Sequence, residues 1–161
     1  MIEDRRECKD KQLRYMRRAL TLASQAELRG EVPVGCIIVF ENKIIAEAFN
    51  QPIIKHDPSA HAEIIALRSA GKLIKNYRLP GTVMYVTLEP CAMCIGAIIN
   101  ARVSKVFYGA SDPKFGACGS MLSIHKNVKL NHHTAFEGGL LASESADLLR
   151  KFFKCRRKRD L

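Results

Sequence analysis

Residues 82–100, TVMYVTLEPCAMCIGAIIN, pass from an apolar run through a proline into a second apolar run. Thr82 to Leu88 is β-branched and apolar, the composition of a buried strand. Pro90 suits a helix start, and the helix is predicted from Cys91 to about Asn100. A strand that feeds directly into a helix is the repeating half of an α/β layered domain.

The flanking sequence repeats this pattern. Leu13, Met16, Leu20, Ala23 and Ala26 recur at helical spacing, which predicts an amphipathic helix ending near Gly30. Val34–Phe40 and Ile44–Phe49 read as two strands joined by the tight turn Glu41-Asn42-Lys43. Asp57-Pro58-Ser59 is a helix-start signal, and the helix is predicted through His61, Ile64, Ile65 and Leu67 to Gly71. Pro80-Gly81 is a turn, Val103–Tyr108 a further strand, and Thr134–Glu137 a short one. Ser143 is placed to cap a last helix whose Leu148, Leu149, Phe152 and Phe153 form an apolar stripe. Pro113, Gly116 and Gly119 break any periodicity between Gly109 and about Asn131. Alternating strands and helices predict one α/β domain over residues 1–161, with part of its sheet parallel. The first ten residues, dense in both charge signs, are expected to fray.

Composition narrows the partner class. Lys and Arg number 26 against 16 Asp and Glu, a formal charge of +10. The pI near 9.5 is the footprint expected of a nucleic-acid binder, and charge alone fits a soluble basic protein with no polyanionic partner about as well. No apolar run reaches the ~20 residues that span a bilayer, and the charged N-terminus has no signal-peptide core behind it. A reducing, cytoplasmic setting is expected, in which the six cysteines are thiols or metal ligands.

His61-Ala62-Glu63 and Pro90-Cys91-Ala92-Met93-Cys94 carry the chemistry. His61, Cys91 and Cys94 are three zinc-type ligands, and catalytic zinc sites use three protein ligands and leave a position for water. Cys91 and Cys94 lie three apart at a helix start, on one face, where free N–H groups and the helix dipole favour thiolates. Glu63 is then free to move protons. On a regular helix, residues two apart point about 200° from each other, so His61 and Glu63 converge only if the helix start turns them together. Two other readings compete. Cys91 and Cys94 alone match a redox pair, and Cys36, Cys118 or His56 would close a structural four-ligand site.

His-x-Glu followed by Pro-Cys-x-x-Cys resembles the signature of the zinc-dependent nucleobase deaminases, the cytidine deaminase superfamily. Within it the chain is most similar to the bacterial tRNA-specific adenosine deaminases. The likeness runs from about Leu13 to Arg159 through Glu31–Gly35, Asn50–Ile53, His56–Glu63, Asn76–Leu79 and Tyr85–Cys91. It implies a three-layer α/β/α sandwich around a mixed sheet of about five strands, one zinc per subunit, and a homodimer acting on the anticodon arm of a tRNA. It implies hydrolytic conversion of the wobble adenosine to inosine. His61, Cys91 and Cys94 match the zinc ligands and Glu63 the general acid/base. Asn50 matches a residue that bonds the flipped base, the Ala62 backbone a further contact, Val32 the pocket wall, and Asp112 a position near the anticodon backbone. Taken alone, Asn50 and Asp112 are equally turn residues. The basic run Arg150, Lys151, Lys154 and Arg156–Arg159 completes the expected RNA surface, though cations at a helix C-terminus also meet the dipole.

Two other functions fit parts of the pattern. A deaminase of free nucleobases or nucleotides would use the same zinc motif. A non-catalytic RNA-binding module would close its zinc with a fourth protein ligand.

Overall fold

A computed structural model describes residues 2–159, with side chains described from 6 to 158. Five strands form one sheet in the order β2-β1-β3-β4-β5, where β1 is Gly35–Phe40, β2 Lys43–Phe49, β3 Val83–Leu88, β4 Lys105–Ala110 and β5 Ala135–Glu137. β1 runs antiparallel to both β2 and β3, whereas β3, β4 and β5 are parallel. The sheet is mixed, as expected, and changes character at β3, the strand that leads to Cys91.

Helices cover both faces. Cys36, Ile38, Met84, Val86 and Val106 point to one face and pack on Ala66 and Ala70 of α3 (Ala62–Ile74) and Ile98 of α4 (Ala92–Asn100). Ile37, Val39, Tyr85 and Phe107 point to the other and pack on Tyr15, Met16, Ala19 and Leu22 of α1 (Ile2–Leu28). This alternation is the two-residue period of a strand buried on both sides. α2 is the single turn Pro52–Lys55, and α5 (Ala142–Arg159) lies over β4 beside α1.

Several boundaries differ from the sequence expectation. α1 takes in residues 2–10, expected to fray, and pairs such as Glu7–Lys11 (2.9 Å, one helical turn apart) support that extension. α3 begins at Ala62 rather than at Pro58, because Asp57 Oδ1 accepts from both the N–H (2.8 Å) and hydroxyl (2.7 Å) of Ser59 and closes a local turn instead. It continues past Gly71 to Ile74 and ends at Lys75 in the left-handed region. α5 starts at Ala142, which puts Ser143 inside its first turn and not at its cap.

Gly35 fixes how closely α1 approaches the sheet. A Cβ there would lie 1.9 Å from the Ala19 carbonyl oxygen and 2.6 Å from the Ala23 nitrogen. Only a residue without a side chain fits that crossing.

Candidate active site

α3 and α4 are neighbours on one face of the sheet, and both begin at its end beyond the β3 carboxyl terminus. Open α/β sheets place their sites at that end. The residue before each helix is a metal-ligand type. His61 is the N-cap of α3, with extended backbone (φ −68°, ψ 153°), and Cys91 is the N-cap of α4 (φ −76°, ψ 172°). Neither side chain caps its own helix. Each reaches across instead: His61 Nδ1 lies 3.7 Å from Cys91 Sγ and 3.5 Å from Cys94 Sγ.

These separations can be tested against an ion. Tetrahedral zinc, with Zn–S about 2.3 Å and Zn–N about 2.0–2.1 Å, holds its ligand atoms about 3.5–3.8 Å apart. The histidine–sulfur distances fall in that range, and the three ligand atoms all lie within 4.8 Å of one another. Zinc fits this donor set. Cys36, Cys118 and His56 are not part of the cluster among the described residues. Cys36 is buried in β1 with its thiol pushed up by burial and then by Glu63, and His56 is exposed at the end of α2.

Protonation follows from the packing. Cys91 is held down to about 4, first by a hydrogen bond from Cys94, with burial opposing and His61 assisting. Cys94 is pushed well up by that same bond and by burial. The sulfur of Cys91 also holds the His61 imidazole above its ordinary range, against burial.

Because His61 is extended rather than helical, the two-residue step to Glu63 does not send the side chains apart. Glu63 is 4% exposed. Burial raises its carboxyl, its own backbone N–H and the His61 charge pull it down, and the Cys91 sulfur pushes it up. The buried carboxyl thus lies close enough to His61, Cys91 and Cys94 for each to act on it.

Asn50, buried just after β2, supports this arrangement from the side. Its Oδ1 accepts the Ala62 N–H at 3.0 Å, and its own N–H donates to the Val34 carbonyl at 3.0 Å. The Ala62 N–H is thereby bonded to the Asn50 side chain. Val32, half-buried against the same core, sits in the tight turn closed by Val34 N–H to Val32 carbonyl (2.8 Å) next to Asn50. Asp112 belongs to a separate loop. One of its oxygens accepts from the N–H groups of Lys114 (3.0 Å) and Phe115 (3.2 Å), the turn that Ser-Asp-Pro implies. Arg150, Lys151, Lys154 and Arg156–Lys158 are exposed along α5, with Arg150 paired to Asp147; the Arg159 side chain lies outside the described residues.

Glu89 escaped the sequence reading. It is 3% exposed, and its carboxylate gathers the loop that carries Asp112. An acid standing between a buried strand and Pro90-Cys91 was the available signal.

Known proteins match this geometry. The profile of the cytidine and deoxycytidylate deaminase zinc-binding region matches residues 9–110. A tRNA-specific adenosine deaminase of Haemophilus influenzae is 47% identical over 96% of this chain and 88% of its own length. That of Bacillus subtilis is 40% identical over 90% of each chain. A structure solved in a study of A-to-I editing by tRNA deaminases at the wobble position of transfer RNA superposes with a TM-score of 0.82. It is 41% identical and is covered over 99% of its length, against 84% of this chain. A guanine deaminase from Nitrosomonas europaea, 23% identical, shares the fold with a TM-score of 0.73, over 88% of this chain and 84% of its own. The chain belongs to the cytidine and deoxycytidylate deaminase zinc-binding family and, within it, to the tRNA-specific adenosine deaminases.

Proposed function

We propose that this chain hydrolyses adenosine to inosine at the wobble position of a tRNA anticodon, releasing ammonia. The observation that carries the reading is the three-ligand cluster of His61, Cys91 and Cys94, with the buried Glu63 carboxyl near enough to be shifted by it. The whole chain works as one deaminase domain.

His61 Nδ1 and the sulfurs of Cys91 and Cys94 would hold the zinc, which when bound lowers the pKa of a water towards about 7. Glu63 would accept a proton from the attacking water and deliver it to ring nitrogen N1 as the oxygen adds at C6. It then carries the second proton to the departing amine, so a single carboxyl serves as base and then acid. Burial keeps this carboxyl from holding its charge too firmly. With Oδ1 spent on Ala62, Asn50 offers its amide N–H₂ to an acceptor on the base edge. Val32 walls the base, and Asp112 stands on the loop nearest the anticodon backbone.

The exposed cations of α5 hold RNA phosphates, giving affinity and salt dependence with little sequence selectivity. The active form is a homodimer. It is supported by an apolar groove of about 810 Å³ between α3 and α4, lined by Ile64, Leu67, Met93 and Ala97 and rimmed by Tyr77. No helix among the described residues is long and apolar enough to cross a membrane, and the enzyme acts in the cytoplasm, where its substrate and reduced thiols coexist.

Mass analysis of tRNA nucleosides after incubation with the zinc-loaded protein tests the reading, with free adenosine, guanine and cytosine in parallel. Inosine should form in tRNA and disappear with Glu63→Ala, which should keep its zinc. Turnover of a free base but not of tRNA would replace the substrate assignment.

A further inference from the structure

Glu89 is a buried carboxylate without a cationic partner. It is not in any ion pair among the described residues. A buried charge is tolerated only when its lone pairs are filled, and here one loop fills them. Oε2 accepts from the Asp112 N–H (2.9 Å) and the Ser120 hydroxyl. Oε1 accepts from the N–H groups of Cys118 (2.9 Å) and Ser120 (3.1 Å). All these donors lie between residues 112 and 120.

The fit is close. A Cβ on Gly116 would stand 2.4 Å from Glu89 Cδ and 2.5 Å from Oε2. The same loop is sewn to the ligand segment: Ala117 N–H donates to the Pro90 carbonyl at 2.9 Å, and Gly116 bridges Cys91. The loop also buries Ala117 and Cys118 against Ile95 and Ile99 of α4, while Phe115 at its tip is 65% exposed. Its polar side is gathered by a carboxylate two residues from a zinc ligand, which takes four of the loop's donors.

We propose that Glu89 is a positioning residue that holds loop 112–120 as a substrate-facing wall beside Cys91, so that RNA engagement depends on it while zinc retention and the chemical step do not. The inference rests on the deaminase reading above for its substrate. Glu89→Gln keeps the shape but turns one acceptor oxygen into a donor that faces N–H groups.

For the zinc-loaded Glu89→Gln protein, we expect KM for an anticodon stem-loop with a wobble adenosine to rise about tenfold or more. kcat should change by less than about threefold, since the effect sits in substrate binding. Zinc should stay at one per chain, and amides 112–120 should exchange hydrogen about tenfold faster while those of α3 hold their protection. Ser120→Ala removes one of the loop's donors and should move KM the same way by a smaller factor, which keeps the test alive if the Gln variant folds poorly. Unchanged loop exchange, lost zinc, or a fall in kcat at constant KM would each overturn the proposal. If the unaltered protein fails to deaminate the stem-loop, the deaminase reading falls, and loop exchange still decides what Glu89 holds.

Discussion

Asn50 and Ala62 are joined by a 3.0 Å hydrogen bond from the Ala62 N–H to the Asn50 side-chain oxygen. The peptide unit that donates it is the one whose carbonyl belongs to His61. A residue matched to base recognition thus also braces the peptide that orients a zinc ligand. The two duties can be separated. Asn50→Asp keeps an acceptor for the Ala62 N–H but loses the amide donor, whereas Asn50→Ala loses both. The Asp variant should lose deamination while melting close to the parent. The Ala variant should lose deamination and also about 1–2 kcal/mol of stability, the cost of a buried donor left unpaired. Thermal melts beside kcat/KM distinguish them, and equal melting of both would remove the bracing role.

Metal content decides between three and four protein ligands. Cys91→Ser, Cys94→Ser and His61→Ala should each lose most of the zinc, and chelation should lower the melting temperature reversibly. Cys36→Ser and Cys118→Ser should keep one zinc per chain, as neither joins the cluster. Elemental analysis of the purified variants reads this directly, and zinc loss in Cys118→Ser would establish a fourth ligand.

Gly35→Ala tests the packing of α1. The added methyl meets the Ala19 carbonyl at 1.9 Å, so the helix must shift off β1. Overpacking against backbone should cost about 3 kcal/mol or more. Denaturant unfolding measures it. Gly96→Ala, where a Cβ meets nothing within 4 Å inside a helix, should be neutral or slightly stabilising.

Acid should release the α1–β2 clamp. Arg18 donates to Glu47 through Nε (2.7 Å) and Nη2 (2.6 Å), and that bond holds the Glu47 carboxyl below its ordinary range. A depressed carboxyl stabilises the fold above its unfolded value of about 4.3 and ceases to as pH falls through the lower folded value. Solvent screens the pair, so Arg18→Ala should cost less than about 1 kcal/mol at neutral pH. The difference from the parent should vanish in strong acid, as equilibrium unfolding across pH would show.

The metal triad and the strand-helix units were legible in the sequence, because ligand chemistry and apolar period are local. So was the mixed character of the sheet. What escaped depends on distant partners. Asp57-Pro58-Ser59 looks like a helix start, but the Asp57 side chain closes a turn on Ser59 and α3 waits for Ala62. Within the aperiodic stretch 109–131, residues 112–120 take bonds to a carboxylate 23 to 31 positions upstream, a partner that periodicity does not show. Helical geometry alone would set His61 and Glu63 apart, but His61 stands just outside the helix in extended backbone, where that two-residue rule does not apply.

That His61 and Cys91 occupy the N-cap positions of α3 and α4 has a kinetic consequence. Helix ends open far more often than whole domains unfold. Each opening of either first turn swings a ligand away from its partners. A zinc held by these residues would therefore leave at a rate set by opening of the two helix starts, and a substrate that stiffened those starts would slow its escape.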